Sequence, residues 1–106
     1  MVQQYKLTFS DQFYSELYDI ARHIAYASLD IPTAEKTIHD ILHKISTLKI
    51  FPEGSPLLDK TYNLRYIMSG KYRIIFRTCK EKGIVRILTI RHGRMSLNLS
   101  EIISNL

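Results

Sequence analysis

The chain of 106 residues has one cysteine, Cys79, so no disulfide can form within it. A lone thiol suits a reducing compartment, and a cytoplasmic protein is the expectation. Long hydrophobic runs are missing as well. None approaches the roughly 18 residues of a membrane span, so no membrane partner is expected. Met1–Lys6 has no basic segment followed by an apolar stretch, and no secretory signal is expected there. The second half of the chain is short of acid. Residues 65–106 carry nine Lys/Arg against only Glu81 and Glu101, a balance of +7, whereas residues 1–64 carry six Lys/Arg against eight Asp/Glu, a balance of −2. That asymmetry points to nucleic acid or an acidic protein segment as partner, or else to a solvated basic surface.

What is present fits one domain over residues 1–106. The apolar share, 45%, argues against disorder, and a chain of this size buries roughly two-thirds of its unfolded surface. Tyr5 to Phe9 alternates as a short strand. Ser10 reads as an N-cap, and Phe13, Leu17, Ile20, Ala21 and Ile24 then share one face of a helix. Ala27 to Pro32 breaks that pattern. Pro32 suits the first turn of a second helix, whose stripe of Ala34, Ile38, Ile41, Leu42, Ile45 and Leu48 runs to about Lys49. Phe51 to Pro56 is loop, and loop or extended chain continues to about Asn63. Three strands follow: Leu64 to Met68, Lys71 to Thr78 after a tight Ser69-Gly70 turn, and Ile84 to Arg91 after a longer turn ending in Gly83. Leu97 to Leu106 is a short helix capped by Ser96 or Asn98. The order is β-α-α-β-β-β with a C-terminal α, an α+β fold with a helical hairpin packed on an antiparallel sheet.

The pleat sorts the side chains. Tyr72, Ile74 and Phe76 point toward the helices, and Lys71, Arg73, Ile75 and Arg77 point to an open face. The third of these strands is apolar on both faces and reads as central. The last apolar stretch, Leu97, Leu99, Ile102, Ile103 and Leu106, either packs on the sheet or docks there only in some states.

Leu64-Arg65, a turn ending in Gly70, Tyr72-Arg73-Ile74-Ile75-Phe76, and an apolar strand ending in His92-Gly93-Arg94 together resemble the RelE/ParE toxin superfamily. The upstream strand, helical hairpin and Phe51-Pro52-Glu53-Gly54 loop fit the same pattern, so the resemblance covers nearly the whole chain. It implies a compact microbial-RNase-like fold, the toxin of a type II toxin–antitoxin pair, growth arrest, plasmid stabilisation and a cognate antitoxin that is acidic and partly disordered when free. RelE-like members resemble ribosome-dependent mRNA endoribonucleases, and ParE-like members inhibit DNA gyrase. Arg73 matches the arginine of the RelE type and Arg94 lies near its second basic position. The tyrosine expected soon after is absent, since all seven tyrosines lie at or before Tyr72. The His92-Gly93-Arg94 ending and the Phe51–Gly54 loop look more ParE-like. A gyrase inhibitor is therefore the leading expectation. A RelE-type endoribonuclease acting on ribosome and mRNA is the alternative, and a non-toxic member that only binds its antitoxin is a third.

An RNase needs a base, an acid and cations for the charge on phosphorus. Arginine is a poor base, so His92 is the one group in this block suited to proton transfer near neutrality. The catalytic set of that version is Arg73, His92 and Arg94. In the other versions Arg65, Lys71, Arg73, Arg77, Arg91 and Arg94 form a target- or antitoxin-binding surface. His92 is otherwise a strand-end residue bonded to backbone. Arg73 is otherwise held in an internal ion pair with Glu53 or Asp59, a role that can coexist with binding. His39 and His43 have a spacing that can hold zinc but lack a third ligand, and read as a polar helix face. Cys79 is incidental, and no metal or cofactor is expected.

Overall fold

The alternating segment β1 (Lys6–Phe9) leads directly into α1 (Asp11–Ser28), and Ser10 makes the corner. These features come from a computed structural model that describes residues 4–104 and 106. The expectation about Met1–Gln3, and the Asn105 position of the last expected helix, lie outside them. Ser10 has extended backbone angles, and its hydroxyl accepts the N–H of Phe13 at 3.0 Å, satisfying one of the free donors of the first turn. The same hydroxyl donates to the carbonyl of Leu88 at 2.6 Å, tying the start of the helix to the sheet.

α1 runs through Ala27 and Ser28, two residues into the expected break. The helix stops instead at Leu29, which takes the left-handed conformation with φ 51°. Asp30 then caps α2 (Ile31–Ser46), accepting the N–H and hydroxyl of Thr33, and Pro32 sits in the first turn. Those two bonds hold the Asp30 carboxyl below the usual carboxylate range, the hydroxyl contact contributing most. A 3-10 turn, Thr47–Lys49, extends α2 to the expected end, and a second, Pro52–Gly54, lies inside the expected loop. No helix among the described residues is long and apolar enough to cross a membrane.

Four further strands follow: β2 (Leu57–Asp59), β3 (Leu64–Ser69), β4 (Tyr72–Cys79) and β5 (Ile84–His92). The sheet order is β1-β5-β4-β3-β2. β5 lies inside the sheet between β1 and β4, as its two-sided apolar pattern suggests, while β4 holds the middle place. Two features correct the expected sheet. β2 is an added edge strand, three residues long and irregular in its register with β3. The sheet is also mixed, because β1 runs parallel to β5, from Lys6 opposite Ile84 to Phe9 opposite Ile87. A short C-terminal helix, α3 (Leu99–Ser104), closes the chain, and Asn98 accepts the N–H of Glu101 at its start.

Beyond Phe9 the chain leaves β5, and the rest of that strand would have an unpaired edge. α1 supplies the missing partners. Ser10 serves Leu88, while one oxygen of Glu16 accepts the N–H of Ile90 at 3.1 Å and the hydroxyl of Thr89 at 2.6 Å. The pairing of β4 with β5 shifts between Ile75 and Phe76, leaving Leu88 as an extra residue on β5.

The sheet has two cores. Phe13, Ile41, Ile45, Leu48, Ile74, Phe76, Val85 and Ile87 pack between the helical hairpin and one face. Each such side chain, fully buried, contributes about 1.5–3 kcal/mol. On the other face Leu64, Ile75 and Leu88 pack against Ile102 of α3. The face expected to lie open is therefore closed in its middle, because Ile75 needs an apolar neighbour and α3 provides it. Tyr5, at the start of β1, is buried and its hydroxyl donates to Glu53, which fastens the Pro52–Gly54 turn to the core.

Candidate functional site

Strand register decides which of the cationic side chains meet. β4 and β5 place Arg73 opposite Arg91 and Tyr72 opposite His92, and β3 places Met68 opposite Arg73. Residues so paired have Cα atoms roughly 4.5–5.5 Å apart and share a face. Two guanidinium groups in that position repel unless each is compensated.

Each is compensated differently. Arg91 is almost enclosed, its side chain 10% exposed, and it reaches Glu101 of α3 at 2.8 Å and Glu16 of α1 at 3.7 Å. Its Nε also donates to Thr89. Arg73 lies over the ring of Tyr66, 5.1 Å from guanidinium to centroid, a cation–π contact. The Nε of Arg73 is buried with no hydrogen-bond partner among the described residues. Neither acid considered for it is in place: Glu53 is taken by Tyr5, and Asp59 accepts the N–H of Tyr62 at 2.8 Å.

His92 ends β5 with its ring edge-on to Tyr72, 6.2 Å between centroids. Its Nδ1 accepts the N–H of Arg94 at 3.1 Å. Arg94 is exposed in the following turn. Gly93 continues the pairing, donating to the carbonyl of Lys71 at 2.7 Å. A Cβ at Gly93 would lie 3.0 Å from Met68 Cε and 3.2 Å from that carbonyl, so a side chain there would have to push both back by a few tenths of an ångström. Lys71 is exposed beside Tyr72. A cleft of about 640 Å³ opens here, lined by Lys71, His92 and Met95 on one side and Asp19 and His23 of α1 on the other.

The expected row of cations is thus divided. Lys71, Arg73, His92 and Arg94 gather at one end of the sheet. Arg77 lies on the same face as Arg73 but four residues along β4, roughly 13 Å away. Arg65 does not belong to that face. It stands opposite Phe76 of the first core, and its guanidinium donates to the carbonyl of Ser55 at 2.6 Å, bracing the loop before β2. Arg91 is an internal strut rather than an open cation. Glu16, Glu101 and Tyr66, which organise the arginines, were not singled out in the sequence. Glu101 is one of only two acids in the basic half, and that scarcity was its available signal. The rings of His39 and His43 stack, 6.3 Å apart, on the exposed face of α2. Among the described residues no group of three His, Cys, Asp or Glu can hold a metal. Cys79 is a half-buried free thiol.

The family model described as the ParE toxin of the type II toxin–antitoxin system parDE matches residues 7–97. The chain belongs to the ParE toxin family. Membership makes it the toxin type of a type II toxin–antitoxin system within the wider RelE/ParE group, as the pattern from Leu64 to Arg94 implied. No curated protein matches it in sequence. Its fold is similar to that of the chromosomal ParDE system of P. aeruginosa, with a TM-score of 0.73 at 17% identity over 85% of this chain and 97% of that one. It is also similar to an arginine-to-alanine mutant of E. coli RelE in the free state, with a TM-score of 0.64 at 17% identity over 96% and 93%. The archaeal RelE–RelB complex from Pyrococcus horikoshii gives 0.62 at 16% identity over 88% and 99%. At these identities the likeness is one of fold, and it agrees with the α+β architecture of a ParE-family toxin.

Proposed function

We propose that this ParE-family chain arrests bacterial growth by inhibiting DNA gyrase, without cleaving RNA, and that a cognate acidic antitoxin neutralises it. The observation that carries this reading is the surroundings of His92. The backbone of Arg94 occupies its Nδ1, and the other histidine of the cleft, His23, stands across from it on α1. General acid–base cleavage needs an acid and a base held together on the substrate. Among the described residues no tyrosine follows Tyr72 to take the RelE-type place beside His92. The cations Lys71, Arg73 and Arg94 then serve as a binding surface. The antitoxin reading is supported by the family match and by relatives whose structures are those of the ParDE system and the RelE–RelB complex.

The test is a controlled pulse of the protein in growing bacteria without antitoxin, following mRNA 5′ ends and DNA-damage induction in the same culture. Damage induction with intact mRNA is expected, together with loss of supercoiling by purified gyrase. Rapid codon-positioned mRNA cuts would overturn the proposal.

One observation favours a second reading, a ribosome-dependent endoribonuclease. Arg73 keeps a buried Nε with no partner, as a phosphate clamp awaiting its ligand does. In that reading Arg73 and Arg94 hold the phosphate and His92 moves the proton. Arg73→Ala must then abolish mRNA cutting while the domain stays folded.

A further inference from the structure

The second face of the sheet carries two pairs of arginines set directly opposite each other. Arg73 and Arg91 form one, and Arg77 and Arg86 form the other. They sit on either side of the apolar patch of Ile75 and Leu88 that α3 covers. The fold treats them differently. The first pair is compensated from within: Arg91 by Glu101 and Glu16, Arg73 by the ring of Tyr66. The second pair is exposed and meets no acid and no ring among the described residues. Like charges directly opposite on neighbouring strands destabilise a sheet, and here nothing in the described fold offsets them. A third cation, Lys82, lines the same groove of about 600 Å³, with the hydroxyl-bearing Thr8 next to Arg86 in register and Ile84 half-buried beside it.

We infer that Arg77, Arg86 and Lys82 form a second anion-binding site, separate from the Arg73–His92–Arg94 end, and that it takes an acidic amphipathic segment of a partner protein. The inference rests on reading the chain as one half of a two-protein module, and it names the surface that the acidic half occupies. Two observations select a peptide over nucleic acid. The groove has no aromatic lining on which a base can stack, and single-stranded nucleic acid draws much of its affinity from such stacking. The molecule also shows how it satisfies the other arginine pair. In α3 a carboxylate, Glu101, meets Arg91, and the next residue, Ile102, enters the apolar patch. A partner segment with the same succession of acid and apolar side chains reproduces that solution, its carboxylate bidentate on the guanidinium forks and its apolar side chain against Ile84.

The test uses the full chain and a fluorescein-labelled peptide of repeated Glu-Ile-Leu-Glu units, with a single-stranded RNA of equal charge as competitor. Arg77→Gln/Arg86→Gln is expected to weaken peptide binding about tenfold or more and to flatten its salt dependence. Lys71→Gln/Arg94→Gln removes the same charge at the other end and is expected to cost less than about threefold, as a general charge effect does. The free Arg77→Gln/Arg86→Gln protein is expected to melt no lower than the parent, because it loses a repulsion and no bond. Equal losses in the two double variants would reduce the effect to net charge and overturn the site. So would RNA displacing the peptide from these arginines in preference. Growth arrest is read separately. A chain that binds the peptide here but does not arrest growth refutes the toxin reading and keeps the site, whereas arrest with unchanged peptide binding in Arg77→Gln/Arg86→Gln does the reverse.

Discussion

Arg91 and Glu101 meet at 2.8 Å, and through that contact the last helix is fastened to β5. The polar contact and the packing beside it have unequal weights. The Glu101 carboxylate is half exposed, so Glu101→Gln is expected to cost less than about 1 kcal/mol. Ile102 is 3% exposed against Ile75 and Leu88, and Ile102→Ala is expected to cost about 2–4 kcal/mol. Urea unfolding of the two variants gives both values. A larger loss from Glu101→Gln than from Ile102→Ala would show that the strut, not the apolar contact, holds α3.

Glu16 is expected to matter more than any surface acid. It accepts from Thr89 and from the N–H of Ile90 and also faces Arg91. Glu16→Ala leaves that N–H at an uncovered strand edge, with an expected cost of about 2–3 kcal/mol. Hydrogen exchange should report the loss locally, with the Ile90 amide accelerated and those of β3 unchanged. Unaltered exchange at Ile90 would refute the edge-covering role.

The Tyr5–Glu53 pair predicts an alkaline limit. The carboxylate that accepts the phenol proton, with burial and its charge adding, pushes the Tyr5 pKa up to about 12 from an ordinary 10.0. A group whose folded pKa is raised stabilises fully below its unfolded pKa and loses that contribution as pH climbs through the folded value. The stabilisation is therefore complete below pH 10.0 and gone above about 12. Tyr5→Phe should lower the melting temperature at pH 8 and remove part of the fall between these limits. Parallel pH profiles for the parent and Tyr5→Phe would count against the pair.

Gly93 tests the close approach at the end of β5. Gly93→Ala is expected to cost about 1–3 kcal/mol, since the new methyl meets both Met68 and the carbonyl that Gly93 itself bonds. Met68→Ala in the same chain should recover only part of the loss, because the close contact with the Lys71 carbonyl remains. Full recovery would place all the strain on the methionine.

The parts legible in the sequence were those with strong periodicity. Phe13 to Ile24 and Ala34 to Leu48 announced the hairpin, and Tyr72, Ile74 and Phe76 announced the core face of β4. Three features escaped for physical reasons. Leu57–Asp59 has three residues between a proline and a turn, too few for alternation to register. The parallel pairing of β1 joins Lys6 to Ile84 and Phe9 to Ile87, partners so far apart in sequence that no local pattern encodes them. Arg65 was grouped by charge with Arg73 and Arg77 in one binding surface, whereas register places it opposite Phe76, on the other face. At the site, Arg73, His92 and Arg94 were legible as chemistry. Which arginines were already occupied was not, because their partners come from α1, β3 and α3.

The parallel pairing of β1 and β5 also sets a timetable. Ser10 must wait for Leu88, 78 positions later, before the corner between β1 and α1 can be secured. Closing so long a span costs entropy before the pairing can repay it. A chain still emerging from the ribosome can form its helical hairpin early, yet β1 has no strand to pair with until β5 has been made. β5, with His92 at its end, Arg94 and the covering helix all arrive in the last quarter of synthesis, so a product interrupted before them lacks half of the cationic end and the strand that carries it.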